Sequence, residues 1–116
     1  MRRLWLCLAL LCGCGAPEYA RVELSDGRWV IARVLDEEPP GLDTGTEVIT
    51  LGEQNRVVSV EEVPAGEWHL AAGAACLELG RRDEGLRHLR IALEAPERSV
   101  VEVARRRLAA LEEEER

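Results

Sequence analysis

The sequence predicts an α+β chain, with a small antiparallel β-barrel or curled sheet over residues 19–63 and a helical module over residues 66–114. Three observations predict it. On either side of Asp26-Gly27, apolar residues recur at every second position, the period of a strand. From Glu67 onward the period is 3.6 and the segments are rich in alanine and leucine. Pro39-Pro40-Gly41, Pro64, Gly80 and Pro96 punctuate the chain where one pattern gives way to the next.

Before the β module, Arg2 and Arg3 precede an uncharged apolar run, Leu4 to Leu11, "LWLCLALL". Eight residues span about 12 Å as a helix at about 1.5 Å per residue, against the roughly 30 Å of a bilayer core. The run and its flanks therefore fit a secretion signal better than a transmembrane helix. At its end, Leu11-Cys12-Gly13-Cys14 resembles the lipobox of bacterial lipoproteins. That resemblance implies cleavage between Gly13 and Cys14, diacylglycerol on the Cys14 thiol and acylation of the new amino terminus. Residues 1–13 would be the signal peptide and 14–18 a short lipidated tether. Cys12 fits less well, because bulky Leu11 precedes it; an ordinary signal peptide or an uncleaved anchor helix are the alternatives. Gly15, where an Asp would signal inner-membrane retention in the enterobacterial pattern, favours the outer membrane facing the periplasm. On this reading Cys7 and Cys12 are discarded and Cys14 is a palmitate-type anchor. Cys76 is then the lone thiol, expected to be buried.

The first β element is a hairpin. Asp26-Gly27 suits a two-residue type I′ turn, and counting outward pairs Ser25 with Arg28, Leu24 with Trp29 and Val22 with Ile31. Trp29 is then a core residue. Val30, Ala32 and Val34 fall on the other face, so the second strand would switch its buried side midway, as a strand bent around a barrel corner does. Residues 37–45, "EEPPGLDTG", read as a loop, 46–51 as a third strand, and 56–60 as a fourth. Val63 marks a short fifth strand or a turn. This order resembles the small SH3-like modules of bacterial envelope proteins, which implies an interaction or structural role. With Tyr19 and Trp29 as the only aromatics of this β module, a groove for proline-rich peptides is not expected.

The first helix, from Glu67, ends at Gly80 as a C-terminal glycine. The second carries Leu86, Leu89 and Leu93 on one stripe and stops at Pro96. The third opens with a Ser99–Glu102 capping box, with Val101, Ala104, Leu108 and Leu111 as its stripe. Four carboxylates, Glu112 to Glu115, stand at the negative end of its dipole and predict fraying. The first two helices resemble one tetratricopeptide (TPR) repeat: Gly66 stands at its first position, Gly73 at the small residue of the helix crossing, Gly80 at the inter-helix turn, and Leu89 and Ala92 at the large and small positions of the second helix. The third helix would be the cap. Gly85 replaces the family's alanine, a cost of about 1 kcal/mol in helix propensity. Arg82 stands where an aromatic is common, and Pro96 comes one position early. A lone repeat leaves an apolar face to cover, by the β module, a second copy or a partner.

The charge of -7 excludes nonspecific nucleic-acid binding as a role. Every one of the 15 basic residues is arginine and phenylalanine is absent, which reflects coding bias more than chemistry. Loss of Arg2 and Arg3 with the leader leaves 13 cations against 22 anions. His69, Cys76 and His88 could form a zinc site on paper, but neither the close ligand spacing nor a further ligand is evident. No serine stands beside a base, and no glycine-rich phosphate loop occurs. No catalytic, cofactor-binding or metal-binding set is expected, and no small-molecule substrate. The sequence thus predicts a non-enzymatic, membrane-anchored periplasmic lipoprotein that acts as an interaction or assembly accessory. The alternative is a self-associating structural lipoprotein; a small hydrolase or metal-binding protein ranks last.

Overall fold

The computed structural model describes residues 17–116, so the signal peptide, the cleavage site Gly13/Cys14 and the lipidated Cys14 lie outside the described residues. The described residues divide into two compact units, 17–64 and 65–116. The first is an antiparallel sheet of β1 (Tyr19–Leu24), β2 (Trp29–Leu35), β3 (Gly41–Asp43), β4 (Val48–Thr50) and β5 (Val57–Glu62). The second holds three helices, α1 (Ala65–Glu78), α2 (Arg82–Ala92) and α3 (Arg98–Glu114). The α+β class is as the sequence predicts.

The sheet order is β4-β3-β2-β1-β5, with β4 and β5 as open edges. The expected barrel is therefore corrected: five strands pair in an open sheet and do not close. In β1, Ala20, Val22 and Leu24 point to one face and are buried, alternating with half-buried Tyr19, Arg21 and Glu23. Leu42, Ile49, Leu51 and Ala32 join them in the core, flanked by Val30, Val34, Val57 and Val60.

The hairpin register differs from the predicted one by a residue. Val22 faces Val30, Arg21 faces Ile31, and Glu23 faces Trp29. The cause is the turn. Leu24 N–H donates to the Arg28 carbonyl at 2.9 Å, enclosing the three-residue loop Ser25-Asp26-Gly27. Gly27 has φ of +90° and no non-glycine residue among the described ones has positive φ, so Asp26 does not take the left-handed conformation a type I′ turn needs. Asp26 instead accepts the Arg28 N–H at 3.0 Å and its guanidinium Nε at 2.7 Å. Those contacts, the backbone N–H first, hold its carboxyl below the usual range. A one-residue slip moves every side chain to the opposite face. Val30, Ala32 and Val34 thus all point to the core side, and the second strand needs no midway switch. Trp29 goes the other way: it is 55% exposed, not a core residue.

Two further corrections concern the strands. β3 lies inside the segment read as a loop, pairing with β2 through Leu42 opposite Val34 and with β4 through Leu42 opposite Ile49. Val63 does not start a fifth strand of its own; its N–H continues the ladder by donating to the Tyr19 carbonyl at 3.1 Å. On β5 the pairing with β1 shifts register, Leu24 facing Val57 and Glu23 facing Ser59. Val58 is the unmatched residue between them, and it is exposed.

In the helical unit α1 ends as predicted. Gly80 has φ of +77°. Its N–H donates to the Leu77 carbonyl at 3.1 Å, and Arg81 N–H to the Cys76 carbonyl at 2.8 Å. These two bonds form a Schellman motif. Because a Cβ in left-handed conformation costs about 1–2 kcal/mol, Gly80→Ala lowers the thermal stability of this unit by about that amount, while Asn at this position costs less; thermal melts followed by circular dichroism check both.

α1 and α2 cross at two glycines. A Cβ on Gly73 would stand 3.2 Å from the Gly85 carbonyl oxygen and from Leu89, and one on Gly85 would stand 2.8 Å from Leu77 Cγ. Gly85 therefore serves the close approach that an alanine would block, which offsets its cost in propensity. α3 packs through Val100 and Ala104 against Ala92. It is capped by Glu97 with no side-chain bond, so the predicted Ser99 capping box is not formed. At the acidic end α3 runs to Glu114, and Arg82 of α2 pairs with Glu115.

Candidate functional site

The structure splits the three residues that could have formed a metal site on paper. His69 on α1 and His88 on α2 meet, Nδ1 to Nδ1, at 3.0 Å. Trp68 meets both rings edge-on, with centroids 4.9 Å from His69 and 5.4 Å from His88. Cys76 lies seven residues along α1, about 10 Å at the helical rise. Its thiol instead donates to Glu84 Oε2 at 3.8 Å. Among the described residues no group of three or more His, Cys, Asp or Glu could hold a metal ion. Cys76 is fully buried, as predicted. Burial, and then the Glu84 carboxylate, raise its pKa, which keeps it a thiol and a poor nucleophile.

The two imidazoles form a helix–helix contact in which one Nδ1 donates and the other accepts. Burial, followed by the nearby His88, lowers the pKa of His69 below its ordinary 6.5. Above 6.5 the imidazole is neutral in both folded and unfolded chains. Below it, the unfolded chain takes up a proton that the folded one resists, so stability falls as pH drops through that window. The expected result is a lower melting temperature of the helical unit at pH 5.5 than at pH 7.5, with the difference reduced in His69→Gln.

A second feature is a shallow groove beside α3, lined by Leu93, Val101, Arg105, Leu108, Ala109 and Glu112. Leu93, at the end of α2, and Val101 and Leu108 on α3 are only half-buried. The predicted stripe had placed Val101 and Leu108 with Ala104 against the rest of the unit, whereas Val100 and Ala104 are the buried pair. At about 100° per residue, Val101 and Leu108 sit roughly a quarter-turn from Val100. They form a second apolar face rimmed by Arg105 and Glu112. The signal for it was present: α3 carries more apolar positions than one stripe accounts for.

On the β unit, the face opposite the core is polar around Trp29. Ser59 donates to Glu23 at 3.2 Å, and Arg21 pairs with Glu61 at 3.4 Å. No helix among the described residues is long and apolar enough to cross a membrane. Compared with protein-family models, curated proteins and solved structures, the chain matches none.

Proposed function

We propose that this chain is a lipid-anchored protein of the bacterial envelope, held at Cys14, whose helical unit binds protein. The observation that carries the binding role is the open groove at Leu93, Val101 and Leu108, an apolar face that the unit's own helices leave accessible. The resemblance of α1 and α2 to a tetratricopeptide hairpin, with α3 as its cap, supports the same reading. So does the small-residue crossing at Gly73 and Gly85. The lipobox-like Leu11-Cys12-Gly13-Cys14 supplies the location: the outer membrane on its periplasmic side. Anchoring of this kind is durable, because each buried CH₂ contributes about 0.8 kcal/mol and more than one chain is attached. The role is that of an accessory or assembly protein and requires no cofactor, metal, nucleic acid or small-molecule substrate.

A photo-crosslinking residue at Leu108, in the full chain expressed in a bacterial envelope, tests the reading. The expected result is a discrete adduct, absent when the same residue replaces exposed Glu94. No adduct from Leu108, at a normal level of membrane-bound chain, contradicts it.

A further inference from the structure

The rim charges of the groove carry information about its occupant. Arg105 and Glu112 are both exposed and form no ion pair among the described residues, whereas Glu115 in the same turn as Glu112 is held by Arg82. They are seven residues apart, so they stand two turns apart along one edge of α3. The midpoint between them falls between Leu108 and Ala109, a large and a small residue that both line the groove. A two-fold interface brings residue i of one copy against residue j of the other, and j against i. With the axis crossing α3 between Leu108 and Ala109, an antiparallel copy of α3 places each arginine opposite a glutamate and each Leu108 against an alanine. One helix thus carries its own complement in charge and in size.

We propose that the groove is covered by a second copy of this chain, α3 packing antiparallel on α3, with Arg105 facing the partner subunit's Glu112 and Leu108 facing the partner subunit's Ala109. This rests on the reading of the helical unit as a binding module and names its partner. α3 is 17 residues long, about 25 Å at the helical rise, so a single helix pair of this length gives a modest interface. The two symmetric contacts of Leu108 with the partner subunit's Ala109 supply attraction at the centre of the pair. The two symmetric ion pairs set direction and register, as charges do at helical interfaces.

Charge reversal tests the pairing in the full chain, with two differently tagged copies co-expressed and recovered together in detergent. Wild-type copies co-purify. Arg105→Glu places two like-charged glutamate pairs across the interface, and Glu112→Arg two arginine pairs; each variant alone is expected to lose co-purification by tenfold or more. A mixture of the two restores it, because every reversed glutamate then meets an arginine. One chain carrying both changes also pairs with itself again. Circular dichroism equal to wild type confirms that these exposed substitutions leave the helices intact.

Wild-type copies that do not co-purify, or a mixture that recovers no better than either variant alone, overturn the proposal. The crosslink at Leu108 separates this failure from that of the binding role. An adduct of the chain with a different protein, beside copies that do not co-purify, overturns the self-partner and keeps the groove as a binding surface. Absence of both adduct and co-purification overturns both.

Discussion

Replacing Leu89 with alanine is expected to remove a large share of the helical unit's stability. Leu89 is fully buried and stands at the α1–α2 crossing, where its Cγ would lie 3.2 Å from a Cβ on Gly73. Truncation removes three buried carbon atoms and leaves a cavity that the close crossing cannot readily collapse. Such changes cost about 2–5 kcal/mol. A unit of about fifty residues has a total stability on the order of 3–8 kcal/mol, at about 0.05–0.15 kcal/mol per residue. The substitution therefore removes from about a quarter of it to all of it. Far-ultraviolet circular dichroism should show a large loss of helical signal, or a melting transition lowered by well over ten degrees. Leu89→Met, which conserves volume, should cost less than about 1.5 kcal/mol. A melt unchanged in Leu89→Ala would contradict the packing described.

Replacing Cys14 with alanine is expected to release the chain from the membrane almost completely. No other described segment can cross a bilayer as a helix, and a 13-residue leader retained in the variant is too short to span one. Palmitate label should be absent from the variant, and sedimentation should move it from the membrane pellet toward the soluble fraction. Cys12→Ala should keep both label and attachment, because bulky Leu11 before Cys12 makes it a poor modification site. If Cys14→Ala still sediments with membranes after a salt wash, the anchor lies elsewhere.

The parts of the fold legible in sequence were those fixed by local chemistry. Gly80 ends α1 because only a residue without Cβ enters the left-handed conformation freely, and the pattern before it had a helical period. Val22 and Leu24 announced their strand by alternation. What failed depended on choices the local sequence leaves balanced. Asp26-Gly27 can close a two-residue or a three-residue loop. The Asp26 side chain bonding to Arg28 accompanies the longer one, and that slip sent Trp29 to the exposed face. β3 was hidden because three residues after Pro39-Pro40 are too few to display a period; Leu42 is recognisable only once its neighbours in β2 and β4 are known. Barrel closure is a question of whether β4 and β5 meet, which no strand states by itself.

The candidate sites followed the same division. His69 and His88 stood on neighbouring helices in the sequence reading, but only the crossing at Gly73 and Gly85 brings their rings together. It also leaves Cys76 two turns away beside Glu84. The groove was missed because Val101 and Leu108 were assigned to the buried stripe of α3, a position the structure gives to Val100 and Ala104.

The account's central claim is that this body works while fastened to an envelope membrane through Cys14. Intact-mass spectrometry of the chain extracted from bacterial membranes tests it most directly. The account predicts a polypeptide beginning at Cys14 and carrying a diacylglycerol thioether and an acylated amino terminus. A mass that retains Met1 to Gly13, or one with an unmodified Cys14 thiol, would contradict it.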